Sequence, residues 1–218
     1  MTSGGNLDEL QLRVLAALGG MEPPFVLSGG GALAGFHLGH RLTRDLDLFW
    51  RNQTELGQVP RIVEQRLVAD GLSTSILRSS PAFVQLRVTD RESVVIVDLI
   101  AEAGETLDPA TTHRVGSANI LVDSPRAILA EKLCALLERS EIRDLVDVQA
   151  LVRSGVDLGT AIADAPRRDR GFSPLTLAWV LRDFDLKAMA SAAGLDESSV
   201  RDLEAFKESL IERLVTPA

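Results

Sequence analysis

Two aspartates stand one residue apart in the run Asp45-Leu46-Asp47-Leu48. On a strand, side chains at i and i+2 share a face, so Asp45 and Asp47 point one way and Leu46 and Leu48 the other. Two carboxylates side by side repel unless a cation lies between them. Mg²⁺ suits that place, because it is a hard ion that takes one or two protein carboxylates together with substrate phosphates. On an exposed strand the same pair would simply meet water. A third acid, Asp98, interrupts Val94-Val95-Ile96-Val97-Asp98-Leu99-Ile100. A lone charge among apolar neighbours is costly to bury unless it is paired or bound to metal. It could be a ligand, a proton acceptor for an attacking hydroxyl, or a strand-end residue reaching solvent.

Gly29-Gly30-Gly31 falls between a short apolar run, Phe25-Val26-Leu27, and a helical pattern from Ala32 to about Leu38. Glycines there allow backbone amides to approach an anion, and a helix start adds positive potential. A tight turn would need the same residues. No lysine followed by Ser or Thr comes after the glycines, so this is not a P-loop. Further on, Lys132, Arg139 and Arg143 would lie within roughly 40° of one another on a single helix, at 100° per residue. Asp144 and Asp147 are i, i+3 neighbours. A helix break near Ser140 would spoil that stripe, and ion pairs on a solvated face would produce the same pattern.

These residues need elements to hold them. Helical spacing covers residues 7–18, stopped by Gly19-Gly20, and recurs at 59–69. Strands are expected at 25–27, 45–50, 83–88, 94–100 and 119–122, with a polar turn at 90–93. Ser124-Pro125 reads as a helix start. Only helical patterns follow it, at 126–138, 142–153, 173–183 and 197–215. The chain is thus expected to divide into a mixed α/β part (1–123) and a helical part (124–218). Arg167-Arg168-Asp169-Arg170 and His113 read as loop residues. His37 and His40 lack a third partner at zinc-ligand spacing. Cys134 lies among leucines and reads as a small buried hydrophobe.

The 218 residues are 45% hydrophobic and 25% charged, ordinary globular values that exclude a fibre or a mostly disordered chain. A net charge of −8 excludes a generic binder of nucleic-acid phosphates, so any such substrate needs a local basic patch. The single cysteine precludes an intrachain disulfide and fits a reducing compartment. No apolar run reaches the roughly 20 residues of a membrane span. A cytoplasmic protein is expected.

Taken together, Leu27-Ser28-Gly29-Gly30-Gly31-Ala32-Leu33-Ala34, Gly39-His40-Arg41-Leu42-Thr43-Arg44-Asp45-Leu46-Asp47-Leu48-Phe49, Glu131-Lys132-Leu133-Cys134-Ala135-Leu136, Arg139 and Arg143-Asp144-Leu145-Val146-Asp147 resemble the AbiEii/AbiGii-type nucleotidyltransferases. These are minimal members of the DNA polymerase β-like superfamily, and many are toxins of type IV toxin–antitoxin systems. The resemblance spans about residues 25–150. It implies an α+β fold: a polymerase β-like core with a short mixed sheet, then a helical C-terminal domain. It implies transfer of a nucleoside monophosphate from an NTP, with Mg²⁺ or Mn²⁺ as cofactor.

The resemblance also implies roles. Gly29, Gly30 and Gly31 would form the phosphate loop, with Arg41 nearby. Asp45, Asp47 and Asp98 would be metal ligands. Lys132 would hold the triphosphate, and Asp144 matches an acid the toxins need. A tRNA 3′ end is the suggested acceptor and an antitoxin the suggested partner; apart from the resemblance, Arg41, Arg44, Arg51, Arg167, Arg168 and Arg170 are the basic residues available for a local tRNA contact. In one departure, Gly31 stands where the family often has Thr or Ser, so a hydroxyl contact to phosphate is lost. That feature favours the alternative, a non-catalytic descendant that binds a nucleotide or a partner protein.

Overall fold

The computed structural model describes residues 5–104 and 106–216. They form two compact units, one up to Ser124 and one from Pro125 onward.

The first unit opens with α1 (Glu9–Leu18), which a capping box starts. The Asp8 carboxylate accepts from the Gln11 amide at 2.8 Å, and the Asp8 amide donates to Gln11 Oε1 at 2.9 Å. Gln11 then uses its side-chain nitrogen to hold the Thr43 carbonyl at 3.0 Å, fixing the chain just before the paired aspartates. Strand β1 (Val26–Ser28) leads straight into α2 (Gly29–Ala32) and a π-helical turn, Leu33–His37. The helical hydrogen-bond pattern therefore begins at the glycines, three residues earlier than their low helix propensity suggests. Then come β2 (Asp45–Arg51), α3 (Val59–Ala69), β3 (Ser73–Ser79), β4 (Phe83–Thr89), β5 (Val94–Glu102), β6 (Thr111–Val115) and β7 (Ala118–Val122).

These strands make one mixed sheet in the order β3-β4-β5-β2-β1-β7-β6. β2 runs parallel to β5 and antiparallel to β1, and β1 runs parallel to β7. Leu27, Leu46, Leu48, Leu86, Val97 and Leu99 are fully buried on one face, where α1 and α3 pack. The alternate positions form the opposite face, called here the site face. It is half-buried at Asp45, Asp47, Gln85 and Asp98. Strands β3 and β6 were not expected. β3 is an exposed, polar edge strand without a clear apolar alternation, and β6 carries His113, which is a strand residue and not a loop residue.

The second unit is helical: α4 (Pro125–Arg139), α5 (Ile142–Arg153), α6 (Leu158–Arg168), α7 (Pro174–Arg182), α8 (Leu186–Ala192) and α9 (Glu197–Val215). Asp157, Ser173, Asp185 and Asp196 cap α6 to α9. α6 and α8 were not expected, and Arg167 and Arg168 belong to the last turn of α6, not to a loop. Among the described residues no helix is long and apolar enough to cross a membrane.

Candidate active site

Register places the acids. Asp47 on β2 is paired with Asp98 on β5, Asp98 with Gln85 on β4, and Asp47 with Ser28 at the end of β1. One row of side chains therefore reads Ser28, Asp47, Asp98, Gln85 across four neighbouring strands. Adjacent strands are about 4.8 Å apart, so the two carboxylates are nearest neighbours. Asp45 lies one step along β2 on the same face, opposite Ile96.

Gln85 was not singled out from the sequence. Its Nε2 donates to Asp98 Oδ1 at 2.9 Å. An ionised carboxylate only accepts, so the amide must present its nitrogen, and that bond sets the orientation of Asp98. Nothing in the sequence marks this glutamine, because its role depends on strand pairing.

The glycine run closes the other side of Asp47. Gly29 has φ +59°, and a Cβ on it would overlap the Asp47 carboxylate. Only glycine lets backbone and acid meet so closely there. A Cβ on Gly30 would fall 3.0 Å from the Thr43 hydroxyl and 3.1 Å from a guanidinium nitrogen of Arg41, so Arg41 borders the loop. Arg41 also donates to the Leu42 carbonyl at 3.0 Å. Gly31 faces elsewhere: a Cβ there would meet Leu46 at 3.1 Å and Leu27 at 3.2 Å. A side chain at position 31 would start toward the core, so Gly31 can offer a ligand only its backbone.

Further along the same face, Arg51 is not a surface base. Its side chain is 8% exposed and forms ion pairs with Glu102, its register partner, and with Asp123. Its guanidinium also stacks over the Phe49 ring at 4.3 Å. His37 Nε2 lies 2.8 Å from the Asp123 carbonyl, and burial lowers its pKa.

A hard divalent ion fits the Asp47–Asp98 pair on donor chemistry. Both donors are carboxylates, and the lack of a side chain at Gly29 lets the glycine backbone approach Asp47. Among the described residues no group of three or more His, Cys, Asp or Glu side chains stands together as a ligand set. Two carboxylates suffice for Mg²⁺ when substrate phosphates supply the remaining oxygens.

The other two candidates, Lys132 and Asp144, lie in the second unit. The chain breaks at Ser140, where φ is +51°, so no single helix carries Lys132, Arg139 and Arg143. Instead the chain turns α5 so that Lys132 Nζ meets Asp144 Oδ1 at 2.8 Å and Asp147 Oδ2 at 2.9 Å. Arg139 grips Asp144 with two nitrogens, at 2.8 and 2.9 Å. Arg143 pairs with Glu141 at 2.5 Å. Both aspartates are fully buried. Burial alone would depress the Lys132 pKa, but Asp147 and Asp144 outweigh it and raise the value. Burial would raise that of Asp144, but the Arg139 hydrogen bond and Lys132 hold it down. On α4, burial pushes the Cys134 thiol up to about 12, as suits a packing residue.

The sheet order, the glycine turn and the acid row define a nucleotidyltransferase fold. Its structural relatives include JHP933 from Helicobacter pylori (17% identity, TM-score 0.54, 95% of this chain and 94% of that one). MenT4, a nucleotidyltransferase toxin from Mycobacterium tuberculosis H37Rv, matches at 18% identity and TM-score 0.56, over 95% of this chain and 91% of that one. The antibiotic-resistance factor ANT(2'')-Ia matches at 14% identity and TM-score 0.52, over 73% and 91%. No curated protein matches the chain significantly. Residues 13–215 match the family described as nucleotidyl transferase AbiEii toxin, type IV toxin–antitoxin system. The chain belongs to that family, and is an enzyme of the nucleotidyltransferase type.

Proposed function

We propose that this chain moves a nucleoside monophosphate from an NTP to an acceptor hydroxyl on the site face of its sheet. The observation that carries this reading is the register of Asp47 with Asp98 beside Gly29. Asp47 and Asp98 would hold Mg²⁺ or Mn²⁺, with substrate phosphates completing the ligands and Asp45 one step along β2 on the same face. A divalent ion bound there supplies charge stabilisation for the phosphoryl oxygens.

The chain's own groups do the rest. Backbone amides at the start of α2 receive the phosphates, and the Arg41 guanidinium beside Gly30 adds a cation. The acceptor oxygen bonds to the α-phosphorus and the bond from that phosphorus to the bridging oxygen breaks. Pyrophosphate leaves, and the acceptor proton passes to the Asp98 carboxylate. The family resemblance alone gives Lys132 a triphosphate role and Asp144 that of a required acid; within the helical unit, Asp144 and Asp147 hold the Lys132 amine and keep it charged. The proposed acceptor is a tRNA 3′ end. The protein would act in the cytoplasm as the growth-inhibiting half of a toxin–antitoxin pair, restrained by its antitoxin.

Incubation with each α-labelled NTP, Mg²⁺ and total tRNA tests this. Label transfer that vanishes in Asp47→Ala supports the enzyme. Tight NTP binding with no transfer to tRNA or to protein supports a non-catalytic binder instead.

A further inference from the structure

The row of paired residues does not end at Gln85. Its partner on the edge strand is Arg78 of β3. Arg87 lies two residues from Gln85 on β4, opposite Ile96 of β5, and so on the same face. Both arginines are exposed, and neither has an ionic partner among the described residues. Strands β3 and β4 read STSILRS and FVQLRVT, which contain these two cations and no acid. In a chain with 31 acidic and 23 basic residues, an exposed edge strand and its neighbour that together carry two exposed arginines and no acid make a local positive shelf.

The order across the sheet has a direction. From β1 outward it runs glycine turn, Asp47, Asp98, Gln85, then Arg78 and Arg87. Phosphates of the NTP belong at the glycine end. The attacking hydroxyl must approach from the Asp98 side, because the leaving pyrophosphate occupies the opposite one. At about 4.8 Å per strand, the Arg78 backbone lies roughly 10 Å beyond Asp98, within reach of a guanidinium for whatever follows the hydroxyl. Unpaired arginines bind oxyanions there, since their planar fork matches the oxygens of phosphate and carboxylate alike, and the phosphate nearest an attacking 3′-hydroxyl lies within that reach.

We infer that Arg78 and Arg87 form the docking shelf for the acceptor, and that the acceptor carries phosphodiesters next to its reactive hydroxyl, as a single-stranded RNA 3′ end does. This rests on the reading of Asp47 and Asp98 as the transfer site. A small neutral acceptor would leave both arginines idle. An acidic protein would fill the same forks with carboxylates, and polyglutamate competition tells the two apart.

The test is anisotropy binding of a short 5′-labelled single-stranded RNA with a free 3′-hydroxyl, over a salt series. Wild type should bind with affinity falling as salt rises. The Arg78→Ala/Arg87→Ala double variant should bind at least tenfold more weakly, with a salt slope reduced by about 1.4, at about 0.7 per phosphate contact. Its NTP affinity should stay within twofold of wild type. The inference is overturned if wild type does not bind the RNA, if the double variant binds it unchanged, or if polyglutamate displaces it as well as unlabelled RNA does. It is also overturned if NTP and RNA affinity fall together. Label transfer by Asp47→Ala keeps the two readings apart. Transfer lost in Asp47→Ala with RNA binding unchanged in the double variant sinks the shelf alone. Transfer retained in Asp47→Ala sinks the site on which the shelf depends.

Discussion

Asp47 and Asp98 are register partners on parallel strands, β2 and β5, and Gly29 closes on Asp47 from the next strand's end. The acids lie 51 positions apart in the chain. Parallel pairing needs a crossover between the two strands, and α3 with the β3–β4 ribbon supplies it.

Gly29→Ala should damage both fold and activity. The new methyl group would press on the Asp47 carboxylate, and an L residue at φ +59° costs about 1–2 kcal/mol. Urea unfolding should show a loss of that order, and NTP-dependent label transfer should fall more than tenfold. Gly57→Ala, at a φ of +53° with nothing within 4 Å of the added Cβ, is the control for backbone strain alone.

Gln85→Met keeps the length of the side chain but loses the hydrogen bond to Asp98. Bonds to charged groups contribute about 1.5–3 kcal/mol. Turnover should drop about tenfold or more while KM for the NTP stays within twofold. Unchanged turnover would show that the glutamine only fills space.

Much of this geometry could be read before any strand was paired. The alternation in Asp45-Leu46-Asp47-Leu48 fixes which side chains share a face, and Ser124-Pro125 marks where mixed structure gives way to helices. What could not be read depended on pairing. Gln85, Arg78 and Arg87 look like ordinary polar strand residues until β4 is laid against β5 and β3. Arg51 looks like a surface base until its register puts Glu102 beside it. β3 escaped notice because an edge strand exposed along most of its length shows no apolar period. The helical start at Gly29 escaped because three glycines argue for a turn. The left-handed Ser140 hid the actual partner of Lys132, since a single helix would have aimed Arg139 and Lys132 along one stripe, not at a shared aspartate.

Lys132→Met should destabilise the helical unit. It removes a cation that Asp147 meets at 2.9 Å and Asp144 at 2.8 Å, both aspartates lying in the interior. Breaking one partner of such a buried cluster costs about 3–5 kcal/mol. Lys132→Arg, which keeps the charge, should lose less. Chemical unfolding of both variants measures the difference.

The same cluster sets a pH window. Folded Asp144 holds its proton more weakly than the usual carboxylate at 3.8, so its contribution is present above that value and is lost as pH falls through the lowered folded value. Folded Lys132 holds its proton more tightly than the usual 10.5, so its contribution is present below that value and is lost as pH rises past it. The urea midpoint of wild type should drop on both sides of a neutral plateau. Replacing Lys132 should lessen the alkaline drop, to which the buried Cys134 thiol also contributes as pH rises past its usual 9.0.

The most direct measurement is an anomalous difference map from crystals soaked with Mn²⁺ and a non-hydrolysable NTP analogue. The expected result is a peak within roughly 2.0–2.6 Å of carboxylate oxygens from both Asp47 and Asp98, bridged to analogue phosphate. Ordered analogue with no such peak, or with manganese held away from both aspartates, would contradict the assignment of this face as the transfer site.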